Sequence, residues 1–184
     1  MKSNTIGNGL SNLLSAVFVF LIGAFVDSAP FFIFTRLMKK RGVMSLPETE
    51  EIVEDLSFFD DWEDKYKYII DLGKSLPSFD DAWRTPERLV KGCQSSVWIQ
   101  PGSEQDATRG EVLIFAVDSD AIIVRGLLGL VLSALNHKTP EEILAFDISA
   151  FFESLDLERH LSPTRGNGLR SIVNRIKGIA QAAA

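Results

Sequence analysis

The sequence predicts an α+β domain in which a small antiparallel sheet of about three strands packs against several helices. Three observations predict it. Residues 48–72 and 139–179 place apolar side chains at three-to-four spacing behind capping residues, the pattern of amphipathic helices. Between them, short apolar runs at 88–90, 96–100 and 111–117 are separated by turn residues. A further run, 121–135, is apolar nearly all round and reads as a helix buried at the centre of the domain.

Residues 1–43 differ from the rest and are expected to be a hydrophobic N-terminal extension outside the fold, which then occupies 44–184. Leu13 to Val26 is almost wholly apolar, but 14 residues is short of the roughly 20 a membrane span needs. Extending the run to Phe34 would bury Asp27 and Pro30, and a central Asp is costly in lipid. Lys2 is the only positive charge before the run, and Asp27-Ser28-Ala29 is a poor cleavage site for a signal peptide. Membrane contact is therefore expected only through residues 13–34, where these are retained. Met44-Ser45-Leu46-Pro47 reads as an ordinary cytosolic start.

Pro47 and Glu48 open a first helix whose Ile52, Val53, Leu56 and Phe59 share one side. Asp60 or Asp61 caps a second, from Trp62 to Leu72, with Gly73 as its stop. Residues 76–85 read as a loop. Pro101-Gly102 and Thr108-Arg109-Gly110 punctuate the strands as turns, and Cys93 falls in the connection between the first two. Asp118-Ser119-Asp120 is positioned to cap the central helix, whose Gly126 and Gly129 would let the sheet approach closely. Thr139-Pro140-Glu141-Glu142 is a capping box with proline in the first turn. Phe151, Phe152, Leu155 and Leu157 suggest one further helix. Gly166-Asn167-Gly168 reads as a turn before a last helix, in which Leu169, Ile172, Val173, Ile176 and Ile179 form a stripe.

Composition narrows the functions. With 184 residues, 46% of them hydrophobic, the chain sustains a core without a metal or disulfide staple. A single cysteine forms no internal disulfide. The net charge of −6 and pI near 5.0 argue against nucleic-acid binding through a broad basic face. Nine carboxylates lie between Glu48 and Asp64 with no Lys or Arg. They read as a solvated helix face and helix N-terminal acids, or as a docking surface for a basic partner.

Cys93 leads the chemistry. A lone cysteine is commonly an inert small hydrophobe, but Gly92-Cys93-Gln94-Ser95-Ser96 is polar and turn-prone, a place for presenting a thiol. His137 follows a helix end, where a structural role suffices. His160, in Arg159-His160-Leu161-Ser162-Pro163, would have to reach Cys93 to serve as a base. One Cys and two scattered His make no metal-ligand spacing. Neither a phosphate-binding glycine loop nor a dinucleotide fingerprint occurs. No cofactor is expected.

Several stretches in order resemble the SufE-like sulfur acceptors. They are Trp62 to Gly73, Arg88 to Trp98 with the Gly92-Cys93-Gln94 core, Asp118 to Leu127, Thr139 to Ile143, and His160 to Leu169. The resemblance spans about residues 46 to 182. It implies a SufE/IscU-like α+β fold, cytoplasmic (organellar in a eukaryote), and a carrier rather than an enzyme. Such a carrier takes sulfane sulfur as a persulfide from a pyridoxal-phosphate cysteine desulfurase of the SufS/CsdA kind and stimulates it. It then passes the sulfur to an iron–sulfur scaffold of the SufBCD kind. The resemblance makes Cys93 the persulfide acceptor and Gly92 and Gln94 the residues shaping its loop, with Arg165 either a cation beside it that would stabilise a thiolate or a hydrogen-bond donor that organises the loop. His160 is a weaker participant. The competing expectation is a stand-alone Cys-nucleophile enzyme, a small hydrolase or peroxidase, which would need a base against Cys93.

Overall fold

A computed structural model describes residues 46–184. The expectations for residues 1–43 and for a start at Met44 lie outside the described residues. Among those described, no helix is long and apolar enough to cross a membrane.

Helix α1 (Thr49–Ser57) buries Ile52 and Leu56. Asp61 caps α2 (Trp62–Ser75), its side chain accepting from the Asp64 N–H at 3.0 Å. The loop after α2 contains a single 3-10 turn at Asp81–Trp83. Strands β1 (Val97–Asp106) and β2 (Gly110–Ser119) form an antiparallel ladder from Val97↔Ser119 to Asp106↔Gly110. Helix α3 (Ile122–Leu135) is buried continuously from Gly126 to Leu135. The capping box at Thr139 starts α4 (Pro140–Ala145). Then come α5 (Ile148–Ser154), α6 (Leu157–His160) and the long α7 (Pro163–Ala183).

The α+β class is as expected, and several local readings are corrected. The first expected strand is reduced to one bridge, Leu89↔Trp98, with Val90 N–H donating to the Val97 carbonyl at 2.8 Å and Ile99 N–H to that of Arg88 at 3.0 Å. A turn ending at Arg88 precedes it and the bend at Gly92 follows, so only three residues are left to pair. Pro101-Gly102 is no turn: it continues β1 beyond the stretch paired by 88–90. There β1 is an edge strand, where proline is tolerated. Gly166 to Gly168 lies inside α7, because Ser162 caps and Pro163 starts that helix earlier. The segment around Phe151 divides into α5 and α6 at Asp156, whose φ of 52° is left-handed.

The glycines of α2 and α3 serve a helix crossing rather than a sheet contact. A Cβ on Gly126 would stand 2.4 Å from the Ile69 carbonyl oxygen, and one on Gly73 would stand 2.5 Å from the Gly126 nitrogen. Gly73 therefore does not stop α2, which runs to Ser75. With the two helices so close, Arg125 on α3 reaches past the end of α2. It donates to the carbonyls of Gly73 (2.9 Å), Leu76 (3.2 Å) and Pro77 (3.4 Å) and pairs with Asp118. Asp118, expected as a helix cap, is instead a buried anchor, paired also with Arg84 at 2.6 Å.

Strand β2 is buried from Val112 to Asp118 because both its faces are covered. Leu113, Phe115 and Val117 join the main core with α3, while Ile114 and Ala116 pack on Phe79, with Trp83 and Trp98 beside them.

Gly126→Ala is expected to lose about 3 kcal/mol or more in urea unfolding, since backbone must move to admit the methyl. Gly178→Ala, which meets nothing within 4 Å, should gain up to about 1 kcal/mol from helix propensity. Asp118→Ala should cost about 3 kcal/mol in the same assay, because it leaves the partly buried Arg125 guanidinium without its carboxylate.

Candidate functional site

Residues 88–90 and 97–99 run side by side, so 91–96 closes a hairpin-like loop with Cys93 near its tip. Gly92 has φ +90°, a conformation that L side chains rarely adopt. A Cβ there would also meet the Ser171 Oγ of α7 at 2.9 Å. Both constraints require glycine. They turn the chain so that the next side chain points back against α7.

The Cys93 Sγ donates to the Gly168 carbonyl at 3.4 Å. A Cβ at Gly168 would make an ordinary contact with the sulfur, at 3.5 Å. The thiol is half-buried against the main core. Burial disfavours the thiolate and pushes the Cys93 pKa up from its ordinary value.

A cavity of about 100 Å³ adjoins the thiol. Ile123, Val124 and Leu127 of α3 with Leu169 and Ile172 of α7 make it apolar, and Gln94 and Arg165 supply its polar edge. Arg165 is brought there by the cap of α7, where the Ser162 hydroxyl accepts its backbone N–H at 3.4 Å. Its guanidinium is exposed and forms no ion pair with a described residue. In this conformation the direction of the thiol's pKa comes from burial, not from Arg165.

The structure therefore brings Gly92, Cys93, Gln94 and Arg165 together. It places His160 elsewhere: the imidazole stacks on Trp62 with ring centroids 3.8 Å apart, and Tyr66 donates to its backbone carbonyl. Its Nε2 lies 3.6 Å from Asp156. His137 follows α3 with a left-handed φ of 54°, and its N–H donates to the Leu113 carbonyl at 2.9 Å.

Two supporting residues escaped the sequence reading. Asp120 clamps the far end of the loop: its carboxylate accepts the Ser96 N–H at 3.0 Å, and its own N–H donates to the Ser96 carbonyl at 3.3 Å. Ser171 underlies Gly92. Asp120 sits in an Asp-Ser-Asp run that also fits a helix cap, and no local signal distinguishes the two uses. Among the described residues, no group of three His, Cys, Asp or Glu side chains gathers in a metal-binding arrangement.

These features define a single-thiol α+β domain whose one cysteine rides on a short loop, backed by a helix and flanked by an exposed cation. Comparison with known proteins places it more narrowly. The family model described as the SufE Fe-S metabolism associated domain matches residues 50–180. An uncharacterized SufE-like protein of Rhizobium etli is 42% identical over 147 residues, covering 80% of this chain and 99% of that protein. Another from Rhizobium meliloti is 43% identical over 132 residues, covering 72% and 94%. A hypothetical protein from Thermus thermophilus, solved in solution, shares the fold at a TM-score of 0.58 and 18% identity, covering 76% and 98%. The chain belongs to the SufE family, which is associated with iron–sulfur metabolism.

Because burial favours the protonated thiol, the native protein holds less thiolate at a given pH than the unfolded chain. Iodoacetamide should alkylate native Cys93 more slowly than the urea-unfolded chain, with a pH midpoint displaced upward. Coincident profiles would show that the thiol is not shielded.

Proposed function

We propose that Cys93 accepts sulfane sulfur from the persulfide of a cysteine desulfurase, stimulates that enzyme, and carries the sulfur to iron–sulfur cluster assembly. The observation that carries this reading is the half-buried thiol on the 91–96 loop, in a chain whose family is associated with iron–sulfur metabolism. Transfer needs only a thiol that can meet another protein's persulfide. The Cys93 sulfur attacks the outer sulfur of the donor Cys–S–SH and forms a new S–S bond. The donor's S–S bond breaks, and its inner sulfur leaves with the electron pair and takes up the proton that Cys93 releases. Cys93–SH and donor–S–SH become Cys93–S–SH and donor–SH, with no external oxidant or reductant. The pyridoxal phosphate that generates the donor persulfide belongs to the desulfurase.

The residues around the thiol suit a carrier. Apolar side chains of α3 and α7 surround the space next to Sγ, which would keep water and stray thiols from a bound sulfane sulfur. Arg165 offers positive charge to a persulfide anion on the same cavity. The 91–96 loop is tied at its ends, by Val90–Val97 and by Ser96–Asp120, and between them by the weak Cys93–Gly168 contact. Swinging the thiol out to a partner therefore breaks one sulfur hydrogen bond and some packing. A Cys-nucleophile hydrolase or peroxidase is less well supported. No imidazole or carboxylate of the described residues lines the cavity, so Cys93 lacks a general base.

The test combines a desulfurase, L-cysteine and this protein, as wild type and as Cys93→Ser. The expected result is faster sulfide release with wild type and a mass gain of about 32 Da, one sulfur atom, on wild type only. Absence of both stimulation and adduct with wild type would overturn the proposal.

A further inference from the structure

We infer that the groove between residues 86–91 and α7 is the docking site for an acidic, partly apolar segment of the enzyme that hands sulfur to Cys93. The inference rests on the function proposed above and adds where on this chain the donor is held, and by what chemistry.

The groove is open to solvent and encloses about 630 Å³. Pro86 and Leu89 give it an apolar wall, and Leu89 is 38% exposed while its neighbour Val90 is buried. Two cations stand on its rim, Lys91 from the loop side and Arg175 from α7. Both are exposed, and neither forms an ion pair with a described residue. Glu87 lies in the same groove, beside the Thr85 side chain and Arg88. Lys91 and Arg175 outweigh it, which leaves the lining net positive beside an apolar patch.

The groove is mechanically joined to the thiol. Ser171 forms part of its wall and also lies directly beneath Gly92, the positive-φ hinge of the Cys93 loop. Lys91 precedes Cys93 by two residues. A segment seated in the groove would thus touch the hinge of the loop that must open for transfer.

Charge fixes the chemistry of the occupant. The chain carries −6 overall, yet α7 contains Arg165, Arg170, Arg175 and Lys177 and no acid, while the nine carboxylates of 48–64 lie on α1, α2 and their connection. The helix behind the thiol of this acidic protein therefore carries only basic charges. Exposed rim charges steer encounter with a surface of opposite sign and repel one of like sign, and salt screens the effect over about 8 Å at physiological ionic strength. An apolar side chain on the same segment would cover Leu89 and Pro86.

The experiment follows Cys93 persulfide by intact mass over time, using the full chain, a cysteine desulfurase and L-cysteine, with this protein below saturation. Arg175→Glu and Lys91→Glu are compared with wild type and with Glu54→Lys in the acidic run. Loading of every variant by a small donor, cysteine persulfide, is measured in parallel. Docking at the groove predicts that each groove variant loads about tenfold more slowly from the desulfurase, while Glu54→Lys matches wild type and small-donor loading is the same for all. Raised salt should slow wild type and leave Arg175→Glu little changed. Desulfurase loading of both groove variants at the wild-type rate overturns the inference, as does an equal slowing with the small donor. So does self-association of wild type in sedimentation that Arg175→Glu abolishes, which would assign the groove to a second copy of this chain. Failure of wild type to load from the desulfurase while it loads from the small donor overturns the proposed function itself.

Discussion

The pairing of Arg125 with Asp118 is the constraint on which the rest of the structure depends. One guanidinium, projecting from the first turn of α3, holds the buried carboxylate at the end of β2 and collects three carbonyls from the end of α2 and the loop beyond it. Arg84, from the next turn of that loop, takes the other oxygen of Asp118. Sheet, central helix, second helix and connecting loop are thereby joined at one point. A buried ion pair contributes little net stability against an apolar alternative, because desolvation offsets attraction. Its larger effect here is geometric: the partners accept few arrangements, so the end of β2 and the start of α3 are set in register.

That register is what positions the thiol. Two residues after Asp118, Asp120 receives the Ser96 N–H and closes the Cys93 loop at one end. The other end is closed by the short pairing of 88–90 with β1, and Gly92 then turns Cys93 against α7. Backbone groups at both ends of the loop are well bonded, and its centre is held through sulfur. In the proposed role this division is useful. A thiol that leaves its cavity easily is able to reach a donor, and one that returns to an apolar surround keeps its cargo from solvent.

The cost of this shielding is reactivity, since the burial that protects a sulfur also favours its protonated form. In the proposed role the conflict is resolved by a loop that opens on a partner, exposing the thiol beside Arg165. The proposed carrier holds a shielded thiol when free and a reactive one when docked, through displacement of a short loop on a fixed scaffold.

Much of this was legible in the linear chain. The capping box at Thr139, the Asp61 cap, the buried helix 122–135 and the polar, glycine-led setting of Cys93 follow from local pattern, because caps, periodicity and turns depend on neighbours within a few residues. What failed depended on residues far apart in sequence. Gly73 and Gly126 have the composition of a helix stop and a sheet contact, and only the crossing of α2 and α3 shows that each makes room for the other. Pro101 has the form of a turn and lies in a strand because that stretch of β1 is an edge. Asp118 has the spacing of a cap and is a buried anchor because two arginines, 34 and 7 residues away, converge on it. The sequence by itself determined the class of fold, the family to which the chain belongs and the turn that carries its one thiol. Tertiary structure alone decided that His160 stacks on Trp62, that Arg165 meets the thiol cavity, and that Lys91 and Arg175 share a groove beside it. Such contacts join residues that local propensity treats as independent.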